Sequence, residues 1–139
     1  MRKRLAVALG VLLMAAGCKG PVDPSQNKTD TFSGTAQPLN VGPLNTFNVP
    51  NLGEITVSLT SLMPGNVAAG VAYGQPQGNG CLPIQQNAVG TASIGRTALS
   101  GQILIKGTYC VVVFDPSGVL LNIAPWPVAQ TYTVTVSHP

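Results

Sequence analysis

The chain has 139 residues, of which 45% are hydrophobic and only 8% are charged, together with 16 glycines and 12 prolines. This length fits one domain, and the low charge with many glycines and prolines excludes a coiled coil, a helical bundle and a charged disordered tail. Three of the seven basic residues lie at positions 2–4, and the other four balance the four acidic residues. The formal charge of +3 therefore does not indicate a nucleic-acid-binding surface.

The N-terminal segment has the pattern of a secretory signal peptide. Arg2, Lys3 and Arg4 precede an unbroken apolar run from Leu5 to Ala16. A helix that spans a bilayer needs about 20 apolar residues, so this run is too short to be an ordinary transmembrane helix. A basic stretch followed by a short apolar stretch is typical of an export signal. We predict that residues 1–17 are such a signal.

The end of this segment, Ala15-Ala16-Gly17-Cys18, resembles the lipobox of bacterial lipoproteins. The resemblance implies that the signal is cleaved before Cys18 and that Cys18 carries the lipid that anchors the chain in a membrane. Two or three acyl chains anchor a protein firmly, whereas one chain binds reversibly. Lys19 stands where aspartate would signal retention in the inner membrane. The resemblance thus implies the outer membrane, on its periplasmic or surface side.

The sequence after Cys18 changes character. Residues 19–30 are polar, with proline, glycine and one aliphatic side chain, Val22. Such a segment has nothing to contribute to a core, so residues 18–30 are predicted to be a lipidated cysteine followed by a flexible tether. Twelve residues of coil would span about 20 Å, which would hold a small domain away from the lipid headgroups. The folded domain is predicted to cover residues 31–139.

From Thr31 onward the apolar residues recur with a period of two. In Ile55–Leu59 and Tyr132–Val136 they alternate with threonine and serine, which predicts half-buried strands with a hydroxyl-rich solvent face. Tyr109–Phe114 is apolar on both faces, as in a central strand. Weaker strand candidates are Phe32–Ala36, Thr46–Val49, Ala68–Tyr73 and Leu99–Ile105. With turn signals between these segments, we predict an all-β fold, an antiparallel sandwich of jelly-roll or Ig-like type with seven to eight strands.

The later strands also resemble a known family. Gly107-Thr108-Tyr109-Cys110-Val111-Val112-Val113, followed by Tyr132-Thr133-Val134-Thr135-Val136, is similar to the ending of bacterial pre-peptidase C-terminal (PPC-like) domains. Phe47–Leu59 is similar to the early strands of that family. The resemblance implies a small jelly-roll-like sandwich on a secreted protein. The acidic residues usual in that family are sparse here, so no calcium site is predicted.

Two cysteines remain once Cys18 is assigned to lipid. An oxidising compartment favours a disulfide between Cys81 and Cys110. Closing a loop of about 30 residues would contribute about 3–4 kcal/mol to stability. A metal pair would need two further ligands, and a redox pair would normally have C-x-x-C spacing. We predict a structural disulfide, with no metal and no cofactor.

Few side chains of the domain are suited to catalysis. Glu54 opens a strand, and Asp115 opens a proline turn in which its carboxylate is expected to bond to the backbone. His138, the single histidine, is the penultimate residue, where fraying is expected. No enzymatic activity is predicted.

Two features could support binding instead. Trp126 stands between two prolines, where an exposed indole could stack on a sugar or a partner; the alternative is that it caps one end of the core. The polar segments Gln75–Asn79 and Gln85–Asn87 could donate amides to a carbohydrate, or could be solvated connectors. We predict an envelope-anchored, non-catalytic binding module for an unidentified glycan or protein partner. The alternative is a structural or accessory subunit of a cell-surface assembly, for instance one that packs edge to edge or escorts a larger secreted complex.

Overall fold

A computed structural model describes residues 20–119 and 122–139 of the protein. The predicted signal peptide and the predicted lipid attachment site, Cys18, lie outside the described residues. Within these ranges, no helix is both long enough and apolar enough to cross a membrane.

The described residues form eight β-strands and three short 3-10 helices. The strands are β1 (Lys28–Ala36), β2 (Asn45–Val49), β3 (Gly53–Met63), β4 (Ala69–Gln77), β5 (Gly80–Val89), β6 (Thr97–Ile103), β7 (Gly107–Phe114) and β8 (Gln130–His138). The 3-10 helices are Pro24–Gln26, Thr91–Ser93 and Pro116–Gly118.

The strands build two four-stranded antiparallel sheets. Sheet A has the order β1-β8-β3-β6, and sheet B has the order β2-β7-β4-β5. The chain changes sheet at each connection except the β4–β5 hairpin, so the strands of the two sheets are interleaved along the chain. The predicted antiparallel sandwich with seven to eight strands is confirmed.

The core lies between the two sheets and follows the alternation of the sequence. In sheet A, Ile55 of β3 and Val134 of β8 point inward, while their threonine neighbours face solvent. In sheet B, Tyr109, Val111 and Val113 of β7 point toward the same core. Full burial of each large aliphatic or aromatic side chain stabilises the fold by about 1.5–3 kcal/mol. This packing fixes the strand register, because a shift by one residue would turn the apolar side chains outward.

The ordered fold begins before Thr31, within the segment predicted to be a flexible tether. Lys28, Thr29 and Asp30 belong to β1 and pair with the last residues of β8. Further upstream, the Val22 N–H donates to the Leu52 carbonyl at 2.8 Å. These residues have no hydrophobic pattern because β1 is an edge strand with an exposed outer side.

Strand β5 was not among the predicted strands. It contains Pro83, and most of its side chains are exposed because it lies at the edge of sheet B. A strand with so little burial lacks the alternating pattern that identifies half-buried strands. Its pairing with β4 places Gln75–Asn79 and Gln85–Asn87 in one hairpin, and not in long connecting loops.

An apolar groove on the outer face of sheet B

The outer face of sheet B is apolar. Because Tyr109, Val111 and Val113 of β7 point into the core, the alternate residues Cys110, Val112 and Phe114 point outward. An outward side chain of a two-layer sandwich normally meets water, yet none of these three is more than 6% exposed. They belong to a second hydrophobic cluster, the outer cluster, which consists of Leu44, Ala72, Cys81, Val112 and Phe114 together with the disulfide partner Cys110.

A groove of about 400 Å³ runs over the outer cluster. This volume lies within the range of about 300–1,000 Å³ that is typical of binding sites. Exposed Val41 and Val119 form apolar parts of its rim, and Asn79 and Gln86 supply polar amides. All of the lining residues that the structure describes are uncharged. The groove is therefore suited to an apolar, uncharged ligand surface.

Gly70 shapes the floor of the groove. It pairs with Phe114, and a Cβ atom at position 70 would collide with the Phe114 ring. The absence of a side chain lets the ring lie directly over β4. The sequence shows Gly70 only as a glycine within a strand candidate, and the cross-strand register is needed to reveal its purpose.

The disulfide borders the groove. Cys81 and Cys110 are bonded, with their Cα atoms 5.8 Å apart, so the predicted disulfide is confirmed. The bond connects edge strand β5 to β7, which are separated by β4 in the sheet. Since β5 buries little of its own surface, this covalent link holds the hairpin against the outer cluster.

Trp126 is buried at one end of the sandwich and is not available for stacking. The residue is 3% exposed, and its Nε1 donates a hydrogen bond of 2.6 Å to the Ala68 carbonyl. The structure thus supports the interpretation that Trp126 caps one end of the core. It corrects the alternative, in which Trp126 is an exposed ligand contact. The flanking prolines are exposed, whereas the indole turns inward because it is the largest apolar group of its segment.

Asp115 organises the same end. Its Oδ1 accepts the backbone N–H of Ser117, as predicted for an Asp-Pro turn, and its Oδ2 accepts those of Leu39 and Trp126. Burial acts to raise the pKa of this carboxyl, but the three donors outweigh it and the pKa is lowered. Glu54, the second residue of β3, lies at the opposite end of the sandwich, so the two acidic residues do not form a carboxylate pair.

His138 is ordered, and the expectation that it frays is wrong. It is fully buried at the end of β8, and its Nε2 lies 3.0 Å from Oδ2 of Asp30. Lys28 lies 2.8 Å from the other carboxylate oxygen. The hydrogen bond with Lys28, and then that with His138, lowers the pKa of Asp30. The other ring nitrogen of His138 faces the Pro139 carbonyl at 3.2 Å, so both nitrogens have structural partners.

The comparisons with known proteins do not assign the chain. No protein-family model and no curated protein sequence matches it. In the described ranges, no group of three or more histidine, cysteine, aspartate or glutamate side chains is placed to hold a metal ion.

Proposed function

We propose that this protein is a lipid-anchored, non-catalytic binding module of the bacterial envelope. The anchor is Cys18, the location is the outer membrane, and the binding surface is the groove over the outer cluster. The residues that resemble PPC-like domains support a secreted sandwich of that type, since Tyr109 and Tyr132 both point into the core.

The apolar outer face of sheet B carries this proposal. The outward residues of β7 are covered by the rest of the outer cluster, and exposed Val41 and Val119 on the rim add accessible apolar surface beside them. Contiguous exposed apolar surface often marks an interaction site. The groove has apolar walls and a few amides, so its partner presents apolar side chains and no formal charge. We propose an apolar segment of another envelope protein as this partner.

A protein partner accounts for the groove better than a glycan does. Sugar rings commonly stack on exposed aromatic side chains, and the single tryptophan of the chain is buried away from solvent. Phe114, the aromatic residue of the groove, is 6% exposed and offers little of its ring to a sugar.

The edge strands of sheet B give little support to a subunit that packs edge to edge through that sheet. Edge strand β2 has five residues, and edge strand β5 contains Pro83 and pairs with β4 through a register shift beside Gly74 of β4. Short strands, prolines and bulges are the usual means by which edges avoid pairing with other chains.

The anchor is tested by Cys18→Ser in the full-length chain, expressed in a bacterium that processes lipoproteins. We expect an uncleaved precursor that incorporates no palmitate analogue, whereas the parent chain is shortened and labelled. Normal cleavage and labelling of the variant would refute the anchor.

The groove is tested by photo-crosslinking in the native host, with the crosslinker at Gln86 on the rim. The matched control carries the crosslinker at Thr31, an exposed residue of sheet A. We expect an adduct at Gln86 that is absent at Thr31 and is lost when Leu44→Glu places a charge in the outer cluster. Equal adducts at both positions, or an adduct that survives Leu44→Glu, would contradict the proposed surface. An adduct that glycosidase removes would identify the partner as a glycan and would contradict the proposed protein partner.

A further inference from the structure

The N-terminal segment is held against one end of the sandwich, which we call the proximal end. Val22 forms a parallel bridge with Gly53, and its N–H donates to Leu52 at 2.8 Å. Gly20 and Val22 also line a cavity together with Lys106. The point at which the chain leaves the fold is therefore fixed.

The chain between the predicted lipid and this fixed point is short. An extended chain spans at most about 3.6 Å per residue, so the four steps from Cys18 to Val22 reach about 14 Å. The headgroup layer on each side of a bilayer is itself about 5–8 Å thick. An acylated Cys18 thus leaves less than about 10 Å between the headgroups and Val22, which is about the length of one long side chain.

An apolar turn lies at this same proximal end. Strand β6 ends at Ile103, which pairs with Gly53, and β7 begins at Gly107, which pairs with Val49. The turn between them exposes two large aliphatic side chains, Leu104 at 77% and Ile105 at 66%. Leu104 is the most exposed large hydrophobic residue among those that the structure describes, and Ile105 lies directly beside it in the chain.

The proximal end carries charges of both signs. Lys106 follows the apolar turn, Lys28 is paired with Asp30, and acidic Asp23 and Glu54 stand at the same end. Attraction to anionic lipid is therefore weak, and burial of the aliphatic side chains is what favours contact with the bilayer.

We propose that the Leu104–Ile105 turn docks into the interface of the bilayer that holds the lipid anchor, so that the domain stands on its proximal end. This inference rests on the proposed acylation of Cys18. If the turn docks in this way, the domain has a fixed orientation on the membrane and is not freely tethered. The groove of sheet B then faces sideways, along the membrane surface.

The experiment uses the full-length chain, processed in a bacterial host and reconstituted into phosphatidylcholine vesicles with or without brominated acyl chains. Leu104→Trp places an indole in the turn, and Val128→Trp, at an exposed position of the opposite end, is the matched control. The parent chain, with Trp126 alone, supplies the background emission. We expect the added emission of the Leu104→Trp variant to shift to the blue and to lose most of its intensity with brominated lipid. The added emission of the Val128→Trp variant should be unchanged.

Vesicle flotation separates the two proposals. Chains that float while the Leu104→Trp indole is not quenched, or while the indoles of both variants are quenched equally, would overturn the docking and leave the anchor intact. Chains that fail to float would overturn the anchor and the docking together. Quenching in the Leu104→Trp variant alone, relieved when Ile105→Asp is added, would support the docking.

Discussion

The outer faces of the two sheets differ although both sheets pack on one core. On sheet A, hydroxyl side chains pair across β1 and β8, with Ser33 and Thr133 3.0 Å apart and Thr35 and Thr131 3.4 Å apart. On sheet B, the corresponding outward positions of β7 are Cys110, Val112 and Phe114. One face is built to meet water, and the other is built to exclude it.

The difference shows how a strand that is apolar on both faces is accommodated in a sandwich of only two sheets. An apolar pattern on both faces indicates a central strand, and β7 is indeed central in sheet B. No third layer of strands or helices covers its outer face within the described residues. Burial of Val112 and Phe114 comes instead from the disulfide, Leu44 and the β4–β5 hairpin, and these neighbours leave an open groove.

The largest expected effect on stability comes from removing the disulfide that borders the apolar face of sheet B. Replacing both Cys81 and Cys110 by serine in a fragment of residues 20–139, which contains both sheets, should lower the free energy of unfolding by about 3–4 kcal/mol. Denaturant titration monitored by circular dichroism measures this loss. The matched control, Thr133→Ala on sheet A, leaves the disulfide intact. A loss below about 1 kcal/mol would show that the hairpin is held mainly by β4 pairing.

An intermediate effect is expected at Asp115, which follows β7 at the end opposite to the proximal end. Asp115→Asn keeps the shape of the side chain but removes the charge that accepts three backbone N–H groups. We expect a loss of about 1.5–3 kcal/mol at pH 7, the usual contribution of a hydrogen bond to a charged group. Denaturant titration of the parent fragment and the variant at that pH measures the difference.

The pH dependence of stability gives Asp115 a second test. Its pKa is lowered on folding, so its stabilising contribution is complete above the unfolded-state pKa of about 3.9 and is lost as the pH falls through the lower folded-state value. Asp115→Asn should therefore flatten the decline of the unfolding free energy below about pH 4, with Asp30 and Asp23, whose pKa values are also lowered, supplying the remaining slope. An unchanged pH profile would contradict this assignment.

The smallest effect is expected on the hydroxyl face of sheet A. Thr133→Val removes the hydrogen bond to Ser33 but keeps the β-branched shape, so the free energy of unfolding should change by less than about 1 kcal/mol. The same denaturant titration measures it. A larger loss would mean that the hydroxyl ladder contributes to stability as a connected network, and the contrast between the two faces would then be weaker.

Strands were predicted correctly from the sequence where buried and exposed side chains alternate or where both faces are apolar. Strands β3 and β8 follow from period-two patterns, and β7 follows from its continuous apolar run, because each has at least one face in the core. Prediction missed β5, since an edge strand with exposed side chains carries no such pattern.

The contact between Asp30 and His138 could not be predicted from the sequence either. Asp30 and His138 are separated by more than 100 residues, and only the β1–β8 register brings them to 3.0 Å. The same pairing includes Lys28 in the fold and shortens the predicted tether.

The sequence by itself determined the fold class and the disulfide, and it carries the prediction of an anchor, because alternation, cysteine count and the N-terminal pattern are local or compositional properties. Tertiary structure decided that Trp126 is buried, that an apolar groove covers sheet B and that the segment around Val22 is fixed at the same end as an exposed apolar turn. These features depend on which strands are neighbours. Strand order arises from pairing between segments that are far apart in the chain, and no short stretch of sequence encodes its partner.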